Sequence, residues 1–527
     1  MQSMQRWLKP ARMLAATCRS ETLHEAICIA QRSTRLSSAL NECPSIRRTP
    51  CGLESSTTIA RREFASNATT PQHQLFNDSM DVSSPCKVTA VLHTPTHVHV
   101  AKGVMERLKV QVLCADARES SPESYILHRG TAGSIEFTEI PEISNITETV
   151  GVGNITHKLE MEVPERFCSA DISSEGGDVE VSAIKEGALT VYSGQRMFPL
   201  TFQMPESGLA LKERRWHASR KGGDVSLGSI SASELEVYTC GGSLHGQSLV
   251  AGDVDIETGG GAVDVRKLMG THVHLSTEDD EPASKACGAV SIGAVYADSL
   301  HLVTGGKDAL IQELNTKAAY VVAPGGAGIT VESLAGTCVL SAGAAASDRA
   351  AGMARSCGIE AHLSGRIGHV MLLSHGGPVK IYLPHSAEQA LTVLMRPVGS
   401  PALEELLSSS SQEGLMARLG QWQRLSSFGN DSSPIWTTLD SQGVASLIEP
   451  LQSFKGLDCC QHLIGDEEGE HSLVSGVEEH ESLQRDHGLV LLDAAGGEVS
   501  VLQQSWTEMM AAKIGGPGVA IRPSKDL

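Results

Sequence analysis

The stretch that decides the fold is residues 222–275, GGDVSLGSISASELEVYTCGGSLHGQSLVAGDVDIETGGGAVDVRKLMGTHVHL. Short apolar–x–apolar pairs recur in it at a near-constant interval, beginning at Val225, Leu235, Leu244, Val254, Val263 and Val273. Two side chains separated by one residue lie on one face of a strand. The Gly, Asp and Ser residues between the pairs are typical of tight turns. The stretch therefore predicts short strands separated by glycine-rich corners.

The same spacing returns after an acidic interruption at Glu278–Pro282. The later pairs begin at Val290, Leu300, Leu310, Ala319, Ile329 and Cys338. Both series take five steps of the same mean length, about 9.6 residues, and one such unit cannot bury its apolar face without stacking on its neighbours. Strands at roughly this spacing also occur in β-sandwiches, and that alternative stays open. The even interval favours an all-β fold built as a β-solenoid or rolled sheet over residues 171–395.

The flanking sequence predicts fewer strands. Alternating apolar and polar residues indicate strands at Val88–Val100, Leu108–Cys114 and Leu159–Val163, so residues 87–170 are interpreted as N-terminal strands. The polar residues 65–86 are interpreted as a linker.

Beyond Met395 the repeat stops. Residues 396–487 are predicted to be an irregular insertion with one helix around Leu403–Leu425 and an acidic loop at Asp466–Arg485. Leu489–Leu492 and Glu498–Leu502 predict a closing β-hairpin within residues 488–510, because the sequence between them is typical of a turn. Residues 511–527 are interpreted as a tail.

The first part of the chain, residues 1–64, differs in charge from the rest. It holds ten Lys and Arg against five Asp and Glu, a net charge of +5, whereas the remainder holds 32 against 57, a net charge of −25. A basic segment rich in Ser and Thr is typical of an organellar transit peptide. The sequence Arg62-Glu63-Phe64-Ala65-Ser66 resembles the cleavage motif of mitochondrial presequences. Residues 1–64 are therefore predicted to be a mitochondrial transit peptide leading to the matrix, with a chloroplast address as the alternative.

Composition disfavours several classes of function. The chain has a net charge of −20, which disfavours nucleic-acid binding because such binding requires a basic surface. No apolar run approaches the roughly 18 residues of a transmembrane helix, so we expect a soluble protein without a transmembrane segment. Nine cysteines follow Phe64 at irregular spacings and without a CxxC motif. They predict buried thiols rather than a disulfide framework.

Histidines are the first candidates for metal ligands. His97 and His99 would share one strand face beside His93, and His272 and His274 repeat that spacing. Neither group has a third ligand at a suitable spacing. We interpret all five as ordinary half-exposed strand residues.

Cysteines and glycines supply further candidates. Cys459, Cys460 and His462 precede an acidic run, but the side chains of adjacent cysteines diverge, which favours an irregular loop. Gly259–Gly261 and Gly325–Gly328 contain neither the spacing of a phosphate-binding loop nor that of a calcium-binding nonapeptide. These glycines are interpreted as corners between strands.

Aspartates recur near equivalent positions of the repeat, at Asp224, Asp253, Asp255 and Asp264. Stacked acids on a parallel β-helix can form a carbohydrate-cleaving site. Asp beside Gly more often bonds nearby backbone N–H groups of a turn, which is the interpretation preferred for these four. No catalytic, cofactor-binding or metal-binding residue, and no cofactor, is predicted.

These residues also carry a resemblance. The Gly-Gly-Asp-Val corners, Gly252–Leu275, Val290–Val303 and Val379–Pro384 resemble the repeat domain called "putative adhesin", a domain of unknown function. The whole layout from Leu159 to Trp506 is similar to the animal proteins grouped as family with sequence similarity 185. Those proteins have no assigned activity, so the resemblance implies a β-repeat fold and carries over no catalytic residue. Three inserts depart from the pattern, at Glu278–Lys285, Ser347–Cys357 and Pro401–Pro434.

The resulting functional hypothesis is a non-enzymatic, soluble mitochondrial β-repeat protein that offers an extended surface to a protein partner of unknown identity. Two alternatives stay open. One is a β-helix enzyme acting on a glycan or similar polymer, and the other is an adhesin-like surface protein.

Overall fold

The computed structural model describes fourteen ranges of the chain: residues 73–82, 85–103, 107–114, 125–130, 134–140, 157–194, 222–278, 288–325, 327–343, 358–384, 390–397, 419–428, 433–447 and 487–504. Within these ranges the chain forms 23 strands and one short helix, α1, at residues 441–447. The predicted all-β class is therefore confirmed. None of the described helical residues belongs to a helix long and apolar enough to cross a membrane.

The strands before the long repeat are β1 (His73–Asp81), β2 (Cys86–Leu92), β3 (Thr96–Lys102), β4 (Arg107–Cys114), β5 (Tyr125–Arg129), β6 (Ser134–Glu139), β7 (His157–Val163) and β8 (Cys168–Ser174). The repeat itself holds β9 (Val179–Ser193), β10 (Val225–Thr239), β11 (Leu244–Val250), β12 (Asp253–Glu257), β13 (Val263–Ser276), β14 (Val290–Val303), β15 (Ala309–Ala323), β16 (Ile329–Ala342) and β17 (Ile359–Ser374). The remaining strands are β18 (Val379–Pro384), β19 (Ala390–Met395), β20 (Gln423–Phe428), β21 (Pro434–Thr438), β22 (His487–Asp493) and β23 (Val499–Gln504).

The long strands wind into parallel coils. Each contributes a first half that pairs with the first halves of its neighbours and a second half that pairs with the second halves. The first halves form one face, in the order β3-β9-β10-β11-β13-β14-β15-β16-β17-β18-β23. The second halves form another, in the order β2-β8-β9-β10-β12-β13-β14-β15-β16-β17-β22-β19. This parallel winding confirms the solenoid and not the sandwich.

One coil has a nearly constant length of 19 or 20 residues where no insert intervenes. Val225 pairs with Leu244 and Leu244 with Val263, so positions one coil apart in sequence become neighbours in space. Contacts between neighbouring coils accordingly join residues with a sequence separation of 19, as in Thr239–Thr258 and Asp224–Ser243. The predicted interval between apolar–x–apolar pairs is therefore half a coil, because each coil contributes one strand segment to each face. Parallel pairing continues across the inserts, since Val263 pairs with Val290 and Ile329 with Ile359, and β16 and β17 then shift register at three points.

One predicted inward residue is wrong by a single position. Leu310 is 37% exposed, whereas its neighbours Ala309 and Ile311 are buried. Because strand side chains alternate between faces, a shift of one residue turns an inward position outward.

Aliphatic columns fill the solenoid. The inward positions of the first face stack directly, and Val225, Leu244, Val263 and Val290 are each at most 1% exposed. Burying one such side chain contributes about 1.5–3 kcal/mol, and each column repeats that contribution from coil to coil. Glycine-rich corners and thin aliphatic columns explain why the chain needs so few aromatic residues.

Stacked corners close each coil. The buried hydroxyls of Thr239 and Thr258 donate to the carbonyl oxygens of Gly242 (2.5 Å) and Gly261 (2.6 Å). A Cβ added at Gly261 would overlap the carbonyl of Gly242, and one added at Gly242 would overlap that of Gly223. The glycines are thus required by the close approach of one corner's backbone to the next, while the threonines satisfy buried carbonyls.

The solenoid begins earlier than predicted. β2 and β8 already pair in parallel on the second face, and β3 pairs with β9 on the first. Residues His73–Asp81, which were predicted to lie in a linker, form β1, and that part of the linker prediction is wrong. β1 is a strand because β4, which pairs antiparallel with β7, offers β1 its other edge.

The predicted closing hairpin is also wrong. β22 and β23 do not pair with each other, since β22 adds in parallel to β17 and β23 adds in parallel to β18. The sequence between them forms another stacked corner, where a Cβ on Gly497 would overlap the carbonyl of Gly377. The chain thus returns after the insertion to continue the solenoid.

Part of the insertion covers the second face. Residues 419–428 and 433–447, here called the cap, comprise the β20–β21 hairpin, which extends from β19, and α1. Leu419, Trp422, Val444 and Leu447 form one buried apolar cluster with outward side chains of β16, β17, β19 and β22. Gln423–Leu425, predicted to be helical, lie in β20. Residues 403–418 of that predicted helix and the acidic loop at 466–485 fall outside the described residues.

Glu165 ties the first coils together in a pH-dependent way. Its carboxylate binds the ammonium groups of Lys102, at the end of β3, and Lys185 of β9 (2.5 Å). Hydrogen bonds from these two lysines lower the pKa of Glu165 to about 2. A lowered native pKa stabilises the fold above the ordinary glutamate value, and this contribution is lost as the pH falls through about 2.

We therefore expect Glu165→Gln to be less stable than the wild-type chain near neutral pH and to match it near pH ~2. Thermal unfolding of both chains between about pH 6 and pH 2 measures this difference. A difference that stays constant over that range would contradict the assignment.

Candidate functional site

The outer side of the second face carries an ordered column of polar and aromatic side chains. Glu236, Asp255, His274, His301 and Tyr320 occupy the same outward position in five successive coils. Outward positions of a sheet face solvent, so the core does not dictate this composition. We call these five residues the outer column.

Aromatic rings stack along this side. Tyr192 lies on Tyr238 with 5.0 Å between ring centroids, His274 lies on His301 at 5.1 Å, and His301 lies on Tyr320 at 5.4 Å. The planes within each pair are inclined by 10° or less. Such stacking fixes each ring against its neighbour, so the side chains of this surface are held in place before any ligand binds.

A polar cluster joins the two groups of rings. The hydroxyl of Tyr238 donates to Asp255 Oδ2 at 2.5 Å, and His274 Nδ1 lies 3.0 Å from Asp255 Oδ1. One carboxylate oxygen of Glu257 completes a set of three potential ligand atoms, with Asp255 and His274, that lie within 4.8 Å of one another. The side chains of His274 and Asp255 are 39% and 37% exposed. Tyr238, Asp255, Glu257 and His274 are called the polar cluster below.

These contacts set the charges of the polar cluster. Burial and the hydrogen bond to Asp255 both raise the pKa of Tyr238, which keeps its phenol protonated. Burial alone would raise the pKa of Asp255, but hydrogen bonds from His274 and Tyr238 outweigh it and leave that pKa below its usual value. The hydrogen bond to Asp255 raises the pKa of His274 against the opposing effect of burial. Asp255 is therefore held as a carboxylate.

The outer column ends at the cap. Tyr320 stacks on His301 and also packs against the apolar cluster that contains Trp422. Beyond this point the equivalent outward residues are Val339 and Met371, which the cap buries. The cap thus divides the second face into a covered apolar part and an accessible polar part.

The structure separates the two histidines of β13. His274 contacts Asp255, whereas His272 Nδ1 lies 2.8 Å from the hydroxyl of Ser299 on β14. They do not share a partner, although only one residue separates them on the strand. Acidic partners for His274 come instead from the preceding coil.

The other three candidate histidines, His93, His97 and His99, each pair with a separate acidic residue near the start of β9. The Nδ1-to-carboxylate distances are 3.7 Å for His93–Glu175, 3.4 Å for His97–Asp178 and 3.0 Å for His99–Glu180. Each histidine therefore meets a different carboxylate, and these contacts link one coil to the next.

The four aspartates of the repeat lie in four different settings. Asp224 Oδ1 accepts a hydrogen bond from the backbone N–H of Ser243 at 2.8 Å, so it serves a corner as predicted, though the corner of the next coil. Asp264 lies 3.9 Å from His245 on the first face, and Asp253 is exposed on β12. For Asp255 the turn interpretation is wrong, because its carboxylate contacts Tyr238 and His274 instead.

The glycine runs lie at corners between strands. Gly259, Gly260 and Gly325 have positive φ angles of 55°, 95° and 70°, which suits the turns that they occupy. Cys86, Cys114, Cys168 and Cys338 are buried, as expected for most cysteines of the chain. Cys459, Cys460 and His462 fall outside the described residues.

The polar cluster itself was missed from the sequence, although a signal was present. Asp255 and His274 have a sequence separation of 19, and Tyr238 and Glu257 have the same one. That spacing is one coil, so it brings each pair side by side. The apolar pairs recur at half a coil. Comparing residues at that interval does not align Asp255 with His274 or Tyr238 with Glu257.

Neither a family model nor a curated protein matches this chain. Two solved structures share limited likeness with it. One is described as a "putative adhesin" from Bacteroides fragilis, with 13% identity and a TM-score of 0.21. The other is described as a "putative lipid binding protein" from Parabacteroides distasonis, with 9% identity and a TM-score of 0.26. Each likeness covers 58% of this chain and 96% of the other.

Proposed function

We propose that this chain is a non-enzymatic binding module that holds a protein partner on the outer side of its second face. The observation that carries the proposal is the outer column, in which five coils present Glu, Asp, His, His and Tyr in register. Aromatic side chains are enriched at the centres of protein interfaces. Rings already fixed by stacking lose little conformational freedom on binding, which favours affinity.

The charge of the chain indicates the chemistry of the partner. Residues 65–527 carry a net charge of −25, and the column and its neighbours include Glu236, Asp253, Asp255 and Glu257. A complementary surface would be basic, and such charge complementarity mainly raises the rate of association. The proposed partner is therefore a protein with a basic contact surface, and binding should weaken as ionic strength rises.

A matched pair of substitutions tests the proposal. Ser276→Arg places a long cation on the outer side of the second face, and Ser291→Arg places the same side chain on the first face of the next coil. Both serines are half-buried strand residues. Proximity labelling with the full chain should lose its specific partner in the Ser276→Arg variant alone. Equal labelling by both variants would overturn the assignment of the surface.

A β-helix enzyme is the rival proposal. It needs a carboxylic acid that donates a proton, which in glycosidases is a group with a raised pKa. Asp255, the best-placed acid of the polar cluster, has a lowered pKa instead. The cluster therefore supports binding better than acid catalysis. We also propose that the chain is related to family with sequence similarity 185 and carries its adhesin-type repeat.

We further propose that residues 1–64 direct the protein to the mitochondrial matrix. The support is their net charge of +5 and the presequence-like motif at Arg62–Ser66. A fluorescent reporter fused to residues 1–70 should enter mitochondria, and changing Arg6, Arg12, Arg19, Arg32 and Arg35 to Gln should leave it in the cytosol. Secretion of the reporter would instead favour an adhesin-like surface protein, and import into plastids of plant cells would favour the chloroplast address.

A further inference from the structure

We propose that Asp255, Glu257 and His274 form a binding site for a divalent transition-metal ion, with Zn²⁺ as the best-suited ion. The three side chains offer one imidazole nitrogen and two carboxylate oxygens within 4.8 Å of one another. An imidazole ligand selects for zinc and its neighbours in the transition series over Mg²⁺ and Ca²⁺, which prefer oxygen alone. Three protein ligands would leave one position of a tetrahedral zinc for water or for a partner's side chain.

The distances fit this chemistry. Two ligands that lie about 2.0–2.1 Å from a tetrahedral zinc are roughly 3.3 Å apart. His274 Nδ1 and Asp255 Oδ1 are 3.0 Å apart, so an ion could replace the hydrogen bond between them with little movement. Glu257, which follows Asp255 on β12 with one residue between them, approaches from the same side of the strand.

The surroundings hold the ligands in place. Tyr238 donates to Asp255 Oδ2, the oxygen that does not face His274, which is the arrangement of an outer partner that orients a ligating carboxylate. His301 stacks on the ring of His274 at 5.1 Å and fixes its plane. All four residues of the polar cluster stand on strands paired in register rather than on loops, which favours precise ligand geometry.

The proposed site is a property of the chain alone. It lies on the face assigned to partner binding, but it holds whether or not that face has a protein partner. Metal binding by the purified chain therefore tests it separately from the proposed function.

The experiment is a titration of the purified, chelator-treated full chain with zinc under reducing conditions, read by calorimetry and by the thermal midpoint. Wild type should bind one more zinc ion per chain than His274→Gln or Asp255→Asn. The matched control is His272→Gln, on the same strand but bonded to Ser299, which should keep the wild-type stoichiometry. Equal stoichiometry in all four chains would overturn the site, and so would an equal loss in His274→Gln and His272→Gln.

Two further variants separate ligation from folding. Tyr238→Phe keeps the stacked ring and removes the bond to Asp255, so zinc affinity should fall by about 10–100-fold while circular dichroism stays unchanged. His274→Cys supplies a different ligand at the same position and should restore the lost zinc ion. Unchanged affinity in Tyr238→Phe together with no recovery in His274→Cys would contradict the proposal.

Discussion

Gly261→Ala is expected to lower the free energy of unfolding by about 3 kcal/mol, the upper end of what overpacking usually costs. The added Cβ would overlap the carbonyl oxygen of Gly242, which is backbone and cannot rotate away. Relief requires two stacked corners to separate, and that would also weaken the hydrogen bonds that Thr239 and Thr258 make inside them. Urea unfolding should show a lower midpoint for this variant.

Gly246→Ala is the matched control. The three atoms nearest to its added Cβ are side-chain carbons, Leu249 Cδ1 at 3.0 Å, Val265 Cγ2 at 3.1 Å and Leu249 Cγ at 3.2 Å. These groups can shift by a few tenths of an ångström, so the expected cost is below about 1 kcal/mol. Equal losses in the two variants would show that stacked corners are not what requires glycine at residue 261.

Trp422→Ala should detach the cap from the second face. Trp422 is fully buried in the apolar cluster, and truncating such a side chain costs about 3–5 kcal/mol. The solenoid keeps its own core and strand pairing when this cluster is lost, although β20 still pairs with β19, so we expect a local loss rather than global unfolding. Hydrogen–deuterium exchange should accelerate in residues 419–447 and stay unchanged in β10–β14.

Trp422→Phe provides the control for this effect. It keeps an aromatic ring in the cluster and removes an indole N–H that has no hydrogen-bond partner among the described residues. Its exchange pattern should stay close to that of the wild type. Faster exchange spread evenly over the coils in Trp422→Ala would contradict a separately held cap.

Local rules explain how much of the fold could be predicted. Each apolar–x–apolar pair reports one strand segment, and each Gly-rich run reports a corner, so the solenoid was visible in residues 222–275. The pairing of β22 with β17 could not be predicted, because Asp493 and its partner Leu373 are far apart in sequence. The Gly-Gly sequence after β22 is also as typical of a hairpin turn as of a solenoid corner. β1 was missed because its residues do not alternate, and it depends on the edge of β4.

The polar cluster was still harder to predict from the sequence, because its residues come together only through the winding of the chain. Asp255 looked like a corner residue because it stands close to Gly252, and His274 looked like an ordinary strand residue. Only the length of one coil places them side by side, and that length became known from the register of β12 and β13. Contacts between coils depend on the winding of the chain, which composition and local spacing do not specify.

The central claim is that the outer side of the second face is the surface on which a partner binds. Site-specific photo-cross-linking tests it most directly, with a photoactivatable residue at Ser276 on the second face or at Ser291 on the first, in the full chain inside cells. We predict a cross-linked adduct with a protein partner from residue 276 and none from residue 291. Adducts from residue 291 alone, or from neither position, would contradict the claim.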